Sequence, residues 1–235
     1  MTDITSSVIL PVHNQADHIA EIVQSYLSAL AEVPGSHEII LVTNACSDNS
    51  PEVCQSLARG NGDSVKSIDT KNGGWGLSIK LGLKEARGRL LCYTNSARTS
   101  PETLALSIQY ALNNPNAVVK ANRKIRESWR RRLGSLIYNL ECRTFFDLST
   151  WDINGTPKVF PRQLEKLLTL TRDDDLIDAE FNAVCRRENY AVIEVPVFST
   201  KRHGGKSTTN YKSALKLYWG AYELWRSMGQ RPDQQ

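Results

Sequence analysis

No stretch of this 235-residue chain reaches the roughly 18 consecutive apolar residues of a membrane-spanning helix. The N-terminal apolar run Val8–Val12 is short and lacks the basic flank of a signal peptide. The expectation is therefore a cytoplasmic protein, soluble or resting on a membrane surface. Cysteine is sparse and scattered: the five residues at 46, 54, 92, 142 and 185 are odd in number and form no C-x-x-C pair. Neither a disulfide framework nor a zinc knuckle is indicated, and a reducing compartment is the default. Four histidines (13, 18, 37 and 203) supply no i, i+3 or i+4 pair with a third ligand nearby, so they make no metal set. Internal repeats, low-complexity tracts and separating linkers are missing too, which points to one domain whose second half decorates the first.

What is present has the composition of a globular chain: 40% hydrophobic, 23% charged and a net charge of +4. The positive surplus is local. Residues 120–132 hold Lys120, Arg123, Lys124, Arg126, Arg130, Arg131 and Arg132 against Glu127 alone, and the remainder carries 22 basic and 24 acidic side chains. Such a segment reads as an anion site or as a solvated helix face. It lacks the interleaved aromatics of a single-strand nucleic-acid platform, Trp129 standing alone, so nucleic acid is not an expected partner.

Along the first half, short β-branched runs alternate with helical patterns, the signature of βαβ units and a mostly parallel sheet. Strands are expected at Val8–Val12, Glu38–Thr43, Val65–Ile68, Arg89–Thr94 and Ala117–Ala121. Ile19, Ile22, Val23, Tyr26, Leu27 and Leu30 space a one-sided helix with Asp17 as its cap. Ser50-Pro51-Glu52 and Ser100-Pro101-Glu102 each set a hydroxyl at the N-cap, proline in the first turn and a carboxylate after it. Beyond residue 123 the pattern predicts a helix around Leu133–Phe146, a loop over Trp151–Gly155 and a strand at Lys158–Phe160. Helices near Pro161–Leu168 and Leu176–Glu188 and a strand at Ala191–Phe198 follow. The last element is a helix with Ala214, Leu217, Tyr218, Ala221, Tyr222 and Trp225 in one stripe. With Lys212, Lys216 and Arg226 on its flank, that helix fits either a bilayer surface or packing against the domain or a second subunit.

In a parallel sheet the ligand lies beyond the carboxyl ends of the strands. Those positions hold Pro11-Val12-His13-Asn14, Asn44 to Ser50, Lys71-Asn72-Gly73-Gly74 and Asn95-Ser96-Ala97, all small, polar or turn-forming. The order VILPVHN, EIILVTNACSDNS and NGGWGLSIKLGLKEARG followed by a strand resembles the nucleotide-binding half of the family 2 glycosyltransferases with the GT-A fold. The later ANRKIRESWRRRLGSLIYN, WDINGTPKVFPR and EVPVFSTKRHGGKST are similar to that family's polyprenyl-phosphate branch.

The resemblance implies an α/β single-domain GT-A architecture: a Rossmann-like, mostly parallel central sheet flanked by helices, with a C-terminal helix. It divides the chain into a nucleotide-binding half (1–123), an acceptor half (124–210) and a C-terminal helix and tail (211–235). It implies a hexosyltransferase moving sugar, with inversion, from a UDP-, GDP- or dTDP-linked donor to a lipid-linked phosphate or a sugar. By family position the donor site comprises Pro11, His13, Asn14, Asn44, Asp48, Lys71, Asn72, Asn95, Ala97 and Arg123. Arg131, Arg202 and Lys206 are implied at phosphate oxygens. Asp152 is implied on the acceptor side, as general base or as the residue that orients its loop.

Two departures qualify the resemblance. Relatives hold Mg2+ or Mn2+ on an Asp-x-Asp pair after the fourth strand, where this chain has Asn95-Ser96-Ala97. The acidic pair after strand two is Thr43-Asn44. One amide and one hydroxyl are poor ligands for a hard cation, so the expectation is no assigned metal residue and weak or no use of Mg2+ or Mn2+. Asp173-Asp174-Asp175 contains the letters of the pair but stands before a helix, where acidic residues serve as N-terminal charge. A GT-A module that binds nucleotide or sugar without turnover is the alternative. Oligomeric state stays open.

Overall fold

The computed structural model describes residues 3–125, 129–198 and 211–229, with only the backbone of residues 125, 129–133 and 211–215. Seven strands form one sheet: β1 (Ser6–Val12), β2 (His37–Asn44), β3 (Val65–Thr70), β4 (Leu90–Tyr93), β5 (Val118–Ile125), β6 (Lys158–Pro161) and β7 (Val192–Phe198), in the order β3-β2-β1-β4-β6-β5-β7. All neighbours are parallel except β6, which runs antiparallel to both β4 and β5. The central strands β1 and β2 are nearly continuous apolar runs because both faces are covered. On one face Val8, Leu10, Ile39 and Leu41 pack with Val23, Tyr26, Leu104 and Ile108 of α1 (Ile19–Ala31) and α4 (Pro101–Asn113). On the other, Ile9, Ile40 and Val42 meet Ile79 and Leu83 of α3 (Trp75–Glu85) and join a cluster with Phe181 of α6 (Ile177–Arg187). A third cluster joins α5 (Trp129–Phe146), α6 and α7 (Tyr211–Gly229) through Tyr138, Cys142, Ala183, Ala221 and Leu224.

The expected strands all form, within a few residues of their boundaries. Three helix expectations change. Asp17 does not cap α1: His18 holds that position without a side-chain bond, and the Ile19 amide goes to the Gln15 carbonyl instead. Ser50 is the first residue of α2 (Ser50–Asn61) rather than its cap, and its hydroxyl turns back to accept from the Gln15 amide. The expected helix at Pro161–Leu168 reduces to a 3-10 turn at Glu165–Leu168, because Pro161 belongs to β6 and the Arg162 amide bonds the Arg89 carbonyl. Helix α3 forms without a sequence signal, Gly74 at its N-cap offering no capping side chain. Ser100 does cap α4, its hydroxyl accepting from the Thr103 amide at 3.2 Å.

Candidate active site

At the carboxyl ends of β1 and β2, two loops are stapled together by side chains. Asp48 accepts the Ala16 amide on one oxygen and the Ser50 amide on the other, both at 3.0 Å. Desolvation pushes its carboxyl up, but the bonds from Ser50 and Ala16 outweigh that and hold it below the usual range. Asn14 accepts the Ser47 amide at 2.8 Å, and the His13 ring meets the Asn44 carbonyl at 2.8 Å. Asn44 is buried: its amide nitrogen donates to the Val12 carbonyl and its oxygen accepts from the Gly74 amide. Thr43 donates to the Asp69 carboxylate at 2.6 Å. Asn14 and Ala45 adopt left-handed backbone, at φ 52° and 42°. His13, Asn14, Lys71 and Asn72 are exposed around the crevice, Pro11 lies buried at its floor, and Asn44 and Asp48 serve as its frame.

The turn after β4 closes on itself. The Asn95 side-chain oxygen accepts from the Ala97 amide at 3.0 Å, and its carbonyl accepts from the Arg98 and Thr99 amides. The Ser96 hydroxyl is buried and bonded to Gln15, and Ala97 is buried and apolar. These residues do not fit a divalent cation: their one amide oxygen is engaged and the turn holds no carboxylate. Among the described residues no three His, Cys, Asp or Glu side chains are grouped to hold a metal. Asp173 pairs with Lys80 at 2.7 Å, while Asp174 pairs with Arg172 and accepts the Leu176 amide, so that acidic run secures the entry to α6.

On the far side of β4, under α5 and α6, lies a buried charge network. Arg123 grips Asp152 with its guanidinium at 2.6 and 2.7 Å, and its own backbone amide adds a bond at 2.9 Å. Asp152 is 4% exposed and left-handed at φ 48°. Lys120 and Lys158 oppose each other across β5 and β6, both fully buried. Lys120 donates to the Trp151 carbonyl and pairs with Glu194, while Lys158 pairs with Asp178. Burial, followed by the Lys158 charge, pulls the Lys120 ammonium down to about 8. Asp178 also accepts from Tyr93 at 2.9 Å and from Trp75 at 3.2 Å, so it joins β4, α3 and β6. Glu180 accepts the Thr171 and Arg172 amides and latches the loop before α6.

Two of these pairs, Arg123–Asp152 and Lys120–Glu194, hold the Trp151–Gly155 loop against β5. A Cβ on Gly155 would stand 2.0 Å from the Ala121 carbonyl oxygen, which is why glycine ends that loop. Trp151 projects outward under the Arg143 guanidinium, 3.9 Å from its ring centre.

The structure brings Pro11, His13, Asn14, Asn44 and Asp48 together at the carboxyl ends of β1 and β2 and sets Arg123 and Asp152 against each other beyond β6. Both Asp152 oxygens accept from Arg123, whose guanidinium and backbone amide converge on that one carboxylate. Lys120 leaves the basic surface for the core. Arg202 and Lys206 lie outside the described residues, as does the Arg131 side chain. The residue types missed from sequence are Lys158, Glu194, Tyr93 and Trp75. A lysine inside an otherwise apolar strand was the available signal, since a buried ammonium demands a carboxylate partner.

Parallel strands with loops stapled into a crevice at their carboxyl ends define an open α/β domain whose candidate ligand site lies beyond those ends. The glycosyl transferase family 2 profile matches residues 7–170, and the chain belongs to that family. It is 24% identical over 216 residues to the undecaprenyl-phosphate 4-deoxy-4-formamido-L-arabinose transferase of Edwardsiella ictaluri, covering 91% of this chain and 65% of that protein. The Serratia proteamaculans protein of the same name is 24% identical over 218 residues with the same coverage. The chain therefore spans just under two thirds of these relatives' length. In fold it is similar to glucosyl-3-phosphoglycerate synthase from Mycobacterium tuberculosis in complex with UDP, with a TM-score of 0.69, 16% identity and coverage of 98% of this chain and 82% of that one. The same synthase with Mn2+, UDP and glucosyl-3-phosphoglycerate superposes with a TM-score of 0.69 at 17% identity, over 98% of this chain and 82% of that one.

Proposed function

We propose that this chain is a glycosyltransferase that moves a sugar, with inversion, from a nucleotide-sugar in the carboxyl-end crevice to a lipid-linked phosphate. The observation that carries the reading is the Trp151–Gly155 loop, held at the crevice by Arg123–Asp152 and Lys120–Glu194 beside the stapled donor rim. Family membership supports sugar transfer, the relatives' names support a polyprenyl-phosphate acceptor, and the UDP complexes of the structural neighbours support a nucleotide donor. A phosphate acceptor with a second pKa near 6 is already a nucleophile at neutral pH and needs no base. Asp152, committed to Arg123, then orients the loop. Negative charge developing on the departing diphosphate is met by arginine and lysine, with Arg131, Arg202 and Lys206 as candidates, and without a divalent cation.

The acceptor would be met at a bilayer surface. No described helix is long and apolar enough to cross a membrane. Yet α5 exposes Leu136, Ile137 and Leu140 on one face, and the neighbouring α7 exposes Trp219 and Trp225 beside Lys216 and Arg226. Aromatic and aliphatic groups rimmed by cations suit an anionic headgroup layer. Purified protein with UDP-, GDP- and dTDP-sugars and undecaprenyl phosphate, with and without EDTA, tests the whole reading. Transfer that survives EDTA is expected, and no transfer under any condition sinks it. The self-closed Asn95 turn also favours a second reading, a module that binds nucleotide-sugar without turnover. Calorimetric binding indifferent to Mn2+ and unaccompanied by product would select it.

A further inference from the structure

We propose that Asp69 reads the base of the donor nucleotide by accepting its ring N–H, which selects uracil, thymine or guanine against cytosine and adenine. The inference rests on the nucleotide-sugar reading and adds to it a residue and a class of base. Thr43 and Asp69 are register partners at the carboxyl ends of β2 and β3. Side chains alternate along a strand, so both belong to the row that holds Ile39, Leu41 and Val65 against the core. Along that row the residues turn from apolar to polar toward the crevice, ending in a buried threonine and an exposed aspartate.

The Thr43 hydroxyl, fixed by the sheet, donates to Asp69 Oδ1 at 2.6 Å. That bond orients the carboxylate and leaves Oδ2 without a hydrogen bond among the described residues. The nearby Asp48 differs, since two backbone amides take both its oxygens. Asp69 is thus a positioned carboxylate at this rim with an oxygen to offer. An ionised carboxylate only accepts, so it pairs with an N–H and repels a lone pair. Uracil and thymine carry N3–H and guanine carries N1–H, whereas cytosine N3 and adenine N1 are acceptors. A polar group built to meet a hydrogen-bond donor rejects the analogue that lacks it, because the mismatch leaves both groups unpaired.

Calorimetry with UDP, dTDP, GDP, CDP and ADP on the wild type, Asp69→Asn and Asp69→Ala tests the assignment. The wild type is expected to bind the tightest of UDP, dTDP and GDP at least roughly tenfold better than CDP or ADP. Asp69→Asn should weaken that nucleotide by roughly ten- to hundredfold while CDP binding holds or improves, since the amide offers an N–H to cytosine N3. Asp69→Ala should weaken the preferred nucleotide and leave CDP unchanged. Thermal melting guards against misfolding, which an exposed, near-isosteric replacement is not expected to cause. Affinities that do not change on substitution overturn the proposal, and so does equal weakening of UDP and CDP, which would mean a ribose contact. A wild type that binds no nucleoside diphosphate defeats the donor reading itself.

Discussion

Ala45 holds a left-handed backbone, φ 42°, in the loop that follows β2 at the crevice. An L side chain there costs about 1–2 kcal/mol that glycine avoids. Ala45→Gly is expected to raise stability by about 0.5–1 kcal/mol in urea denaturation, part of the gain being offset by greater freedom of the unfolded chain. Asp152 is the opposite case. Removing its carboxylate leaves Arg123 buried without its partner, so Asp152→Ala should cost about 3–5 kcal/mol by the same measurement. Nothing in the sequence pairs Asp152 with Arg123. Arg123 lies 29 residues away, and only the β5 backbone, which delivers both its amide and its guanidinium to one carboxylate, brings them together.

Among the elements, α2 is organised by Asp48, two residues ahead of the Ser-Pro-Glu signal that announces it. Asp48→Ala should cost about 1–2 kcal/mol, because two amides lose their acceptor. Its carboxyl sits below the ordinary value in the fold, so its contribution is full above that value and fades as pH falls toward the lowered one. Acid titration of the wild type should therefore lose stability that Asp48→Ala never had. In β5, Lys120 shifts in the other sense, from an ordinary 10.5 to about 8. The unfolded chain then binds more protons between those values, so wild-type stability relative to Lys120→Met should rise from pH 8 to 10.5 and stay level below pH 8. Chemical denaturation at several pH values measures it. The strands were readable because their apolar runs are long and covered on both faces. Helix α3 was not, since its start is fixed by the Asp173 carbonyl, which accepts the Leu77 amide from 96 residues away.

At the scale of the molecule, the positive surplus of residues 120–132 divides between inside and outside. Lys120 and Arg123 are neutralised within by Glu194 and Asp152, and a sequence count of charge cannot see that partition. The α5–α7 face belongs to this scale as well. Replacing Leu140 and Trp219 together with glutamate should abolish co-sedimentation with anionic phospholipid vesicles while leaving nucleotide affinity unchanged, whereas undiminished vesicle binding would remove that face from the proposal.

By itself the sequence determined the parallel α/β class, the order of the crevice loops and the lack of metal-binding carboxylates after β4. Hydrophobic period, turn residues and side-chain chemistry are local properties, and they survive reading in one dimension. Only the tertiary structure decided which polar residues are frame and which are free. Asn44, Asp48, Arg123 and Asp152 are engaged by partners, while Asp69 offers an oxygen. Whether a polar atom is already satisfied depends on what the fold sets within about 3 Å of it, and distance along the chain does not encode that.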